Sequence, residues 1–257
     1  MWRNTLRYCA LPRYRISLTE YNPRTMFELN LLQRIAVWAL PVLFAITVHE
    51  VAHGWVARRF GDPTAMMLGR LTLNPLKHID PVGTLLIPGL MLMMGGFIFG
   101  WAKPVPVSWR NLRRPKQDMV WVALAGPAAN LIMAIGWAII AKIGVMTYAD
   151  GSLSAVFMLY SGVAGIYINV ILMTLNLLPL PPLDGGRVLV GLLPGPLAWK
   201  VSRVEPYGFI ILLALFYFRI LDYLLVPAIN FFDTLLTQFA GMKPALYRAA
   251  LTALMGH

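Results

Sequence analysis

Phe44-Ala45-Ile46-Thr47-Val48-His49-Glu50-Val51-Ala52-His53-Gly54-Trp55 is the stretch on which the reading of this chain turns. It carries the pattern H-E-x-x-H inside an apolar run. On a helix, residues four apart share a face with ~5–6 Å between their Cβ atoms. His49 and His53 at that spacing can share one zinc ion, and Glu50 stands beside them to take a proton from a bound water. The flanks set this copy of the pattern apart. From Leu31 to Val56 the formally charged residues are Arg34 and Glu50 alone. Trp38, Leu43, Phe44, Ile46 and Val48 are side chains suited to lipid, whereas soluble helices with this motif keep one wet face. Two histidines and a carboxylate are costly in hydrocarbon, so such groups usually mark a site. The bland alternative is polar residues merely packed between helices.

The bulk composition agrees. Of 257 residues, 58% are hydrophobic and 13% charged, against about 25% charged in soluble proteins; the mean hydropathy is +0.66. The expected fold is an all-α polytopic membrane protein of about 4–6 transmembrane helices, with short strand or re-entrant segments between the first two core helices. Lys and Arg number 22 against 11 Asp and Glu. In a soluble protein that excess would suggest nucleic acid. Here it reads as cytoplasmic loops obeying the positive-inside rule, and no nucleic-acid partner is expected. The lone Cys9 leaves no intramolecular disulfide and no Cys-based zinc site. The histidines are His49, His53, His78 and His257, so a third ligand is a carboxylate or His78.

Residues 1–28 are rich in arginine and lack the apolar core of a signal peptide. They are expected as a basic tail without a fold, or as residues upstream of a true start at Met26. Residues 31–56 form the first span, with Pro41 inside it and Arg58 and Arg59 marking a cytoplasmic exit. Leu68 to Asn74 alternates polar and apolar, a short strand signal. Residues 82–100 are apolar and interrupted by Gly and Pro, and either cross once or dip in and return. Basic residues precede and follow them, so a full crossing would put one basic set outside; re-entry is favoured. Residues 101–108, with Pro104 and Pro106, read as an extended edge segment.

Spans are expected at 119–143 and 155–178, joined by a loop at Asp150 that suits the outside. Asn130, in Ala125-Gly126-Pro127-Ala128-Ala129-Asn130, is expected to make a helix–helix hydrogen bond. Asp184 ends an apolar stretch broken by Pro179, Pro181 and Pro182, and a carboxylate there needs a partner: the zinc, or Arg187 three residues on. One more hydrophobic helix is expected over 207–227, an amphipathic segment over 230–239 and an interfacial tail over 243–257. The chain divides on this reading into a tail at 1–28, a core at 29–195 and further membrane helices with a tail at 196–257.

His49-Glu50-x-x-His53 in one helix, with Asn176-Leu177-Leu178-Pro179 and Leu183-Asp184-Gly185-Gly186-Arg187 at the end of another, resembles the site-2 protease family of intramembrane zinc metalloproteases. Ala-Gly-Pro-x-x-Asn at 125–130, Gly69-Arg70-Leu71-Thr72-Leu73-Asn74-Pro75 and Gly100-Trp101-Ala102-Lys103-Pro104-Val105-Pro106-Val107 fit it too. The resemblance covers roughly residues 30–195 and is to a compact bacterial branch without a PDZ or CBS module. It implies one zinc per chain, held by His49, His53 and Asp184. Glu50 would be general base and then acid, and Asn176 would hold the substrate carbonyl or oxyanion. It implies a transmembrane protein as substrate, met in the lipid bilayer of the bacterial cell membrane by a multi-pass enzyme. A substrate helix must unwind to be cut, and Leu71–Leu73 or Lys103–Val107 would receive it as an added strand. The resemblance leaves the oligomeric state open. Two other classes are a catalytically silent membrane scaffold of the same fold and a zinc or proton transporter. The intact set His49, Glu50, His53 and Asp184 speaks against the first. The placing of Asp118, Asp150 and Asp222 near proposed helix ends, away from any pathway, speaks against the second.

Overall fold

The computed structural model describes residues 29–86, 103–148 and 152–256. The tail expected at 1–28, most of the segment expected to re-enter at 82–100 and the Asp150 loop lie outside the described residues. Helix α1 runs Leu31–Arg59 and is followed by a single turn, α2, Thr64–Met67. Then come α3, Pro115–Thr147, and α4, Leu153–Asn176. The short helices α5, Asp184–Leu192, α6, Gly195–Ser202, and α7, Gly208–Tyr217, precede α8, Ile220–Phe239, and α9, Pro244–Met255. Among the described residues α1, α3, α4 and α8 are long and apolar enough to cross a membrane.

Local chemistry accounts for the helix limits. Asn30 Oδ1 accepts from Gln33 N at 2.9 Å and Gln33 Oε1 accepts from Asn30 N at 2.9 Å, so two N–H groups left free by the first turn of α1 are satisfied. Arg58 and Arg59 occupy its last turn, where the helix dipole favours positive charge. Pro115 opens α3 where no N–H is needed. The 29 residues of α1 at ~1.5 Å each exceed the ~30 Å of a bilayer core.

Helix α4 lies at the centre. Leu159, Tyr160, Val163, Ile166 and Val170 are buried in it. A Cβ on Gly162 would stand 2.6 Å from Ala141 N, and one on Gly144 2.5 Å from Leu159 N, so α3 and α4 meet at backbone distance. On its other flank α4 meets α8 and α9. Helix α9 is tied down by Tyr247, whose hydroxyl donates to Asp233 Oδ2 at 2.8 Å. The outward faces remain apolar, with Leu32, Ile35, Ile132 and Met146 exposed, which suits contact with lipid.

Three expectations change. No strand forms among the described residues: Leu71–Asn74 and Lys103–Ser108 have no regular structure and no ladder, Asn74 and Ser108 are extended, and the prolines at 104 and 106 favour an extended backbone around them. Pro75, Pro104 and Pro106 have no N–H to give to one. Lys103 N donating to His78 O at 2.8 Å and Arg70 Nη2 donating to Lys103 O at 2.9 Å hold the segments instead. The helix expected over 207–227 is broken at Arg219, which adopts φ 57°. The Arg219 side chain is 84% exposed at the break, and α8 then continues unbroken through the amphipathic stretch expected at 230–239. The tail expected at 243–257 contains α9, which buries Tyr247, Ala250 and Leu254.

The far ends of α1 and the start of α3 are joined. Arg113 N donates to Phe60 O at 3.0 Å, and Ser108 N donates to Asp62 Oδ2 at 2.7 Å. Arg58, Arg59, Arg110, Arg113, Arg114 and Lys116 therefore gather at one end, which the positive-inside rule puts in the cytoplasm. His78 and Lys103, which flank residues 82–100, are hydrogen-bonded to each other and so lie at one level. In a Cys9→Ser background, single cysteines replacing Phe60 and Arg110 should be labelled by an impermeant reagent only from the cytoplasmic side. One replacing Asp150 should be labelled only from the opposite side. Labelling at position 110 from outside would reverse this orientation.

Candidate metal centre

The buried space between α1, α3 and α5 holds His49, His53 and Asp184 together. His49 Nε2 and His53 Nε2 are 3.1 Å apart, and each lies close to Asp184 Oδ2, at 3.2 and 3.3 Å. Hydrogen bonds on the far side of each ring decide which nitrogens face inward. His53 Nδ1 is 2.7 Å from Val122 O, a carbonyl that can only accept, so His53 Nδ1 carries the hydrogen. His49 Nδ1 is 2.5 Å from Asn130 Oδ1. Asn130 Nδ2 donates to Ala45 O at 3.2 Å and to Asn169 Oδ1 at 2.9 Å, which leaves Asn130 Oδ1 as an acceptor for His49. In the neutral rings both Nε2 atoms are then lone-pair atoms.

Asp184 Oδ2 is buried and has no hydrogen-bond donor among the described residues. Three lone-pair atoms at 3.1–3.3 Å match the edges of a tetrahedron around zinc: bonds of ~2.0–2.1 Å give edges of ~3.3 Å. The donor set and its spacing fit one zinc ion. The carbonyl and carboxamide acceptors behind the two histidines are the partners that zinc-binding imidazoles take.

The sequence builds this through a four-residue repeat on two antiparallel helices. On α1, Ala45, His49, His53 and Ala57 follow at i, i+4, i+8 and i+12, facing Val122, Gly126, Asn130 and Ala134 on α3. His53 meets Val122 at one end and His49 meets Asn130 at the other. Between them Gly126 is required. A Cβ there would stand 2.4 Å from His53 Nε2 and 2.5 Å from His49 Cε1. Asp184 arrives in the first turn of α5, where the helix dipole favours a carboxylate. Gly185 and Gly186 let that turn fold back on the end of α4: Cβ atoms there would lie 2.3 Å from Leu177 O and 2.2 Å from Pro181 N.

The two alternatives left open for the third ligand part company here. His78 is buried, with Nε2 2.9 Å from Thr72 O, and stands apart from the trio. Arg187, the bland partner for Asp184, pairs with Glu205 at 3.8 Å and lies 5.1 Å over the Trp109 ring. Glu50 accepts a hydrogen bond from Val105 N at 2.7 Å. Asn176 is the last residue of α4 and donates Nδ2 to Leu172 O, one turn back in its own helix, at 2.9 Å. Asn130 makes the helix–helix hydrogen bond expected of it, and it also holds His49. Val122 O, Gly126 and Val105 N–H were not singled out from sequence as parts of the site. The matching i, i+4 spacing of Val122, Gly126 and Asn130 is the signal from which two of them follow.

The chain is 41% identical over 201 residues to a Bacillus subtilis protein named "Putative zinc metalloprotease YwhC", covering 74% of this chain and 84% of that one. Rip2 of Mycolicibacterium smegmatis carries the same description and is 34% identical, over 84% of this chain and 76% of its own length. So does MJ0611 of Methanocaldococcus jannaschii, 30% identical over 63% of this chain and 72% of its own length. No family model matches the chain, and no solved structure is a significant match.

Purified in detergent, the protein should carry one zinc per chain. His53→Ala and Asp184→Ala should lose it, and His78→Ala should keep it. Asn130→Ala should weaken chelator-competed zinc affinity by about 10- to 100-fold, the usual effect of removing an outer partner of a ligand. Gly126→Ala should lower zinc occupancy by driving a methyl group into both imidazoles. Zinc kept by Asp184→Ala and lost by His78→Ala would overturn the assignment.

Proposed function

The chain belongs to the site-2 protease-like family of zinc metalloproteases and is a membrane protein, and from that premise we propose that it is an endopeptidase that cuts peptide bonds within or beside transmembrane segments of other membrane proteins. Its place on this reading is the bacterial cell membrane and its process regulated intramembrane proteolysis, with residues 29–195 as the protease core. One observation carries the reading: His49, His53 and Asp184 converge, with Glu50 beside them, among helices apolar enough to cross a bilayer.

We assign His49, His53 and Asp184 as the metal ligands. Zinc bound there supplies Lewis-acid polarisation of the scissile carbonyl and a water acidic enough to serve as nucleophile near neutral pH. Glu50, one position along α1 from His49, takes the proton of the attacking water and hands it to the leaving amine. Asn176, with the amide N–H not spent on Leu172 O, supports the oxyanion, a contribution of ~3–4 kcal/mol at comparable sites. The substrate must unwind, because the carbonyls of an intact helix are already hydrogen-bonded. Of the two segments expected to receive it, Leu71–Leu73 carries no ladder and is suited to take an unwound segment as an added strand, whereas Lys103, Val105 and Ser108 already give their N–H groups to His78 O, Glu50 and Asp62. A transport pathway finds little support: the described residues contain one potential metal group, and Asp118 is engaged by Arg114 N at 2.8 Å.

Glu50→Gln tests the proposal against a silent scaffold. It leaves the three ligands in place and removes the proton carrier, so the variant should hold zinc yet cut a transmembrane reporter ~10²–10⁴ times more slowly. It should retain uncut substrate. Asn176→Ala should lose less activity than Asp184→Ala, because it raises the barrier without removing the metal. Cutting at the wild-type rate by Glu50→Gln would sink the mechanism. Full complementation of a deletion strain by the same variant would establish the scaffold.

A further inference from the structure

Asp62 sits just past the end of α1 with 1% of its surface exposed, and both carboxylate oxygens are engaged. Oδ1 accepts from Thr64 N at 3.1 Å, from the Thr64 hydroxyl and from Asn111 Nδ2 at 3.0 Å. Oδ2 accepts from Ser108 N at 2.7 Å. A turn at Gly61-Asp62-Pro63 needs only the bonds to Thr64, which an asparagine would also make. The bond to Ser108 is different, since an asparagine accepting from Thr64 would present its NH₂ there. Burial alone would raise the Asp62 pKa, but the hydrogen bonds from Thr64, Asn111 and Ser108 outweigh it and hold the carboxyl below its ordinary range.

Three residues before Ser108, Val105 donates its N–H to Glu50 Oε2 at 2.7 Å. Pro106 fixes its own φ and restricts Val105 before it, so the short link from Ser108 to Val105 is stiffened. Val105 is 6% exposed, and its Cγ1 would stand 2.7 Å from a Cβ at Gly54, one turn beyond Glu50 on α1. Helix α1 and the turn that ends it thus grip one stiff extended segment at two points, Glu50 and Asp62.

We propose that Asp62 is a positioning residue for Glu50: it anchors the segment Lys103–Ser108, whose Val105 N–H holds the Glu50 carboxylate in place. The proposal rests on the role given to Glu50 above. Of the two oxygens of Glu50, one is held by a main-chain donor that no side-chain substitution short of proline removes. The setting of that donor is therefore shared between Asp62, which holds the Ser108 end of the segment, and His78 O with Arg70 Nη2, which hold the Lys103 end.

The test is a mutant cycle on purified, zinc-loaded protein with a transmembrane reporter. Asp62→Asn should lower kcat by ~10- to 100-fold, as small misplacements of a reacting group do. Its zinc content should stay at one per chain, and its KM within about twofold of wild type. Glu50→Asp retains a carboxylate too short to reach Val105 N–H. Adding Asp62→Asn to Glu50→Asp should cost less than about twofold, because the two changes act on one contact. Equal losses in both backgrounds would overturn the proposal. So would a raised KM with kcat unchanged, which would place the segment in substrate binding instead. If Asp62→Asn fails to fold or loses zinc, Asn111→Ala removes one donor and keeps the carboxylate. It should give a smaller fall in kcat with the same coupling to Glu50→Asp, and additivity there would overturn the proposal. A Glu50→Gln variant that cuts at the wild-type rate would bring down the functional reading itself, an outcome separate from additivity in the cycle.

Discussion

Three lone-pair atoms pointed at one another in a buried space repel unless positive charge is shared among them, and Nε2 of His49, Nε2 of His53 and Oδ2 of Asp184 are in that position. The repulsion is strong where the effective dielectric is low. The surroundings keep the atoms converged. Val122 O and Asn130 Oδ1 take the hydrogens on the outer side of the rings, so neither neutral imidazole can turn its hydrogen inward without giving up a buried hydrogen bond. Asn130 is in turn fixed by Ala45 O and Asn169, and Asn169 by Gly165 O at 2.8 Å. The chain of contacts runs from α1 through α3 into the central α4, and each polar group in it has a partner, as buried networks require.

In lipid the hydrophobic effect gives helices little reason to associate, so close packing and hydrogen bonds must do it. The same small residues that let the helices approach also make room for the site. Ala45 and Ala57 are fully buried on α1, as is Ala134 on α3. Gly126 goes further, because the space its missing Cβ would fill belongs to the two imidazoles. Packing and chemistry use one repeat, so a substitution that fills the interface also displaces the ligands.

His49, Glu50 and His53 were legible in the sequence because the helical period alone puts the histidines on one face and the apolar flanks make them costly. Asp184 was legible only in part. The residues by themselves left Asp184 or His78 as the third ligand and left zinc or Arg187 as the partner for Asp184; the resemblance to a known family chose between them. Val122 O and Val105 N–H are main-chain groups and leave no mark in a sequence. In the sequence Asn130 reads as a contact between helices, but the register that puts it opposite His49 is a tertiary fact. The alternation at Leu68–Asn74 imitates a half-buried strand. What decides against a ladder is the scarcity of donors at Pro75, Pro104 and Pro106, together with the side-chain bonds at Thr72 and Asn74 that turn the chain locally. The break at Arg219 depends on a left-handed residue that is not glycine, and no local pattern announces that.

The three residues assigned as ligands and Glu50, proposed to carry the proton, are held by different parts of the molecule. His49, His53 and Asp184 are fixed by contacts between helices, from α3 behind the imidazoles and from the folded-back start of α5. Glu50 shares a helix with the histidines, yet its carboxylate is met by an extended segment outside that bundle. That segment is anchored at the basic end, through Asp62, and through His78 O and Arg70 to the chain that leads into residues 82–100. A shift of Lys103–Ser108 would move the partner of Glu50 while His49, His53 and Asp184 stay in register. On such a scaffold the metal site has the rigidity of packed helices. The setting of Glu50 is tied instead to the segment Lys103–Ser108.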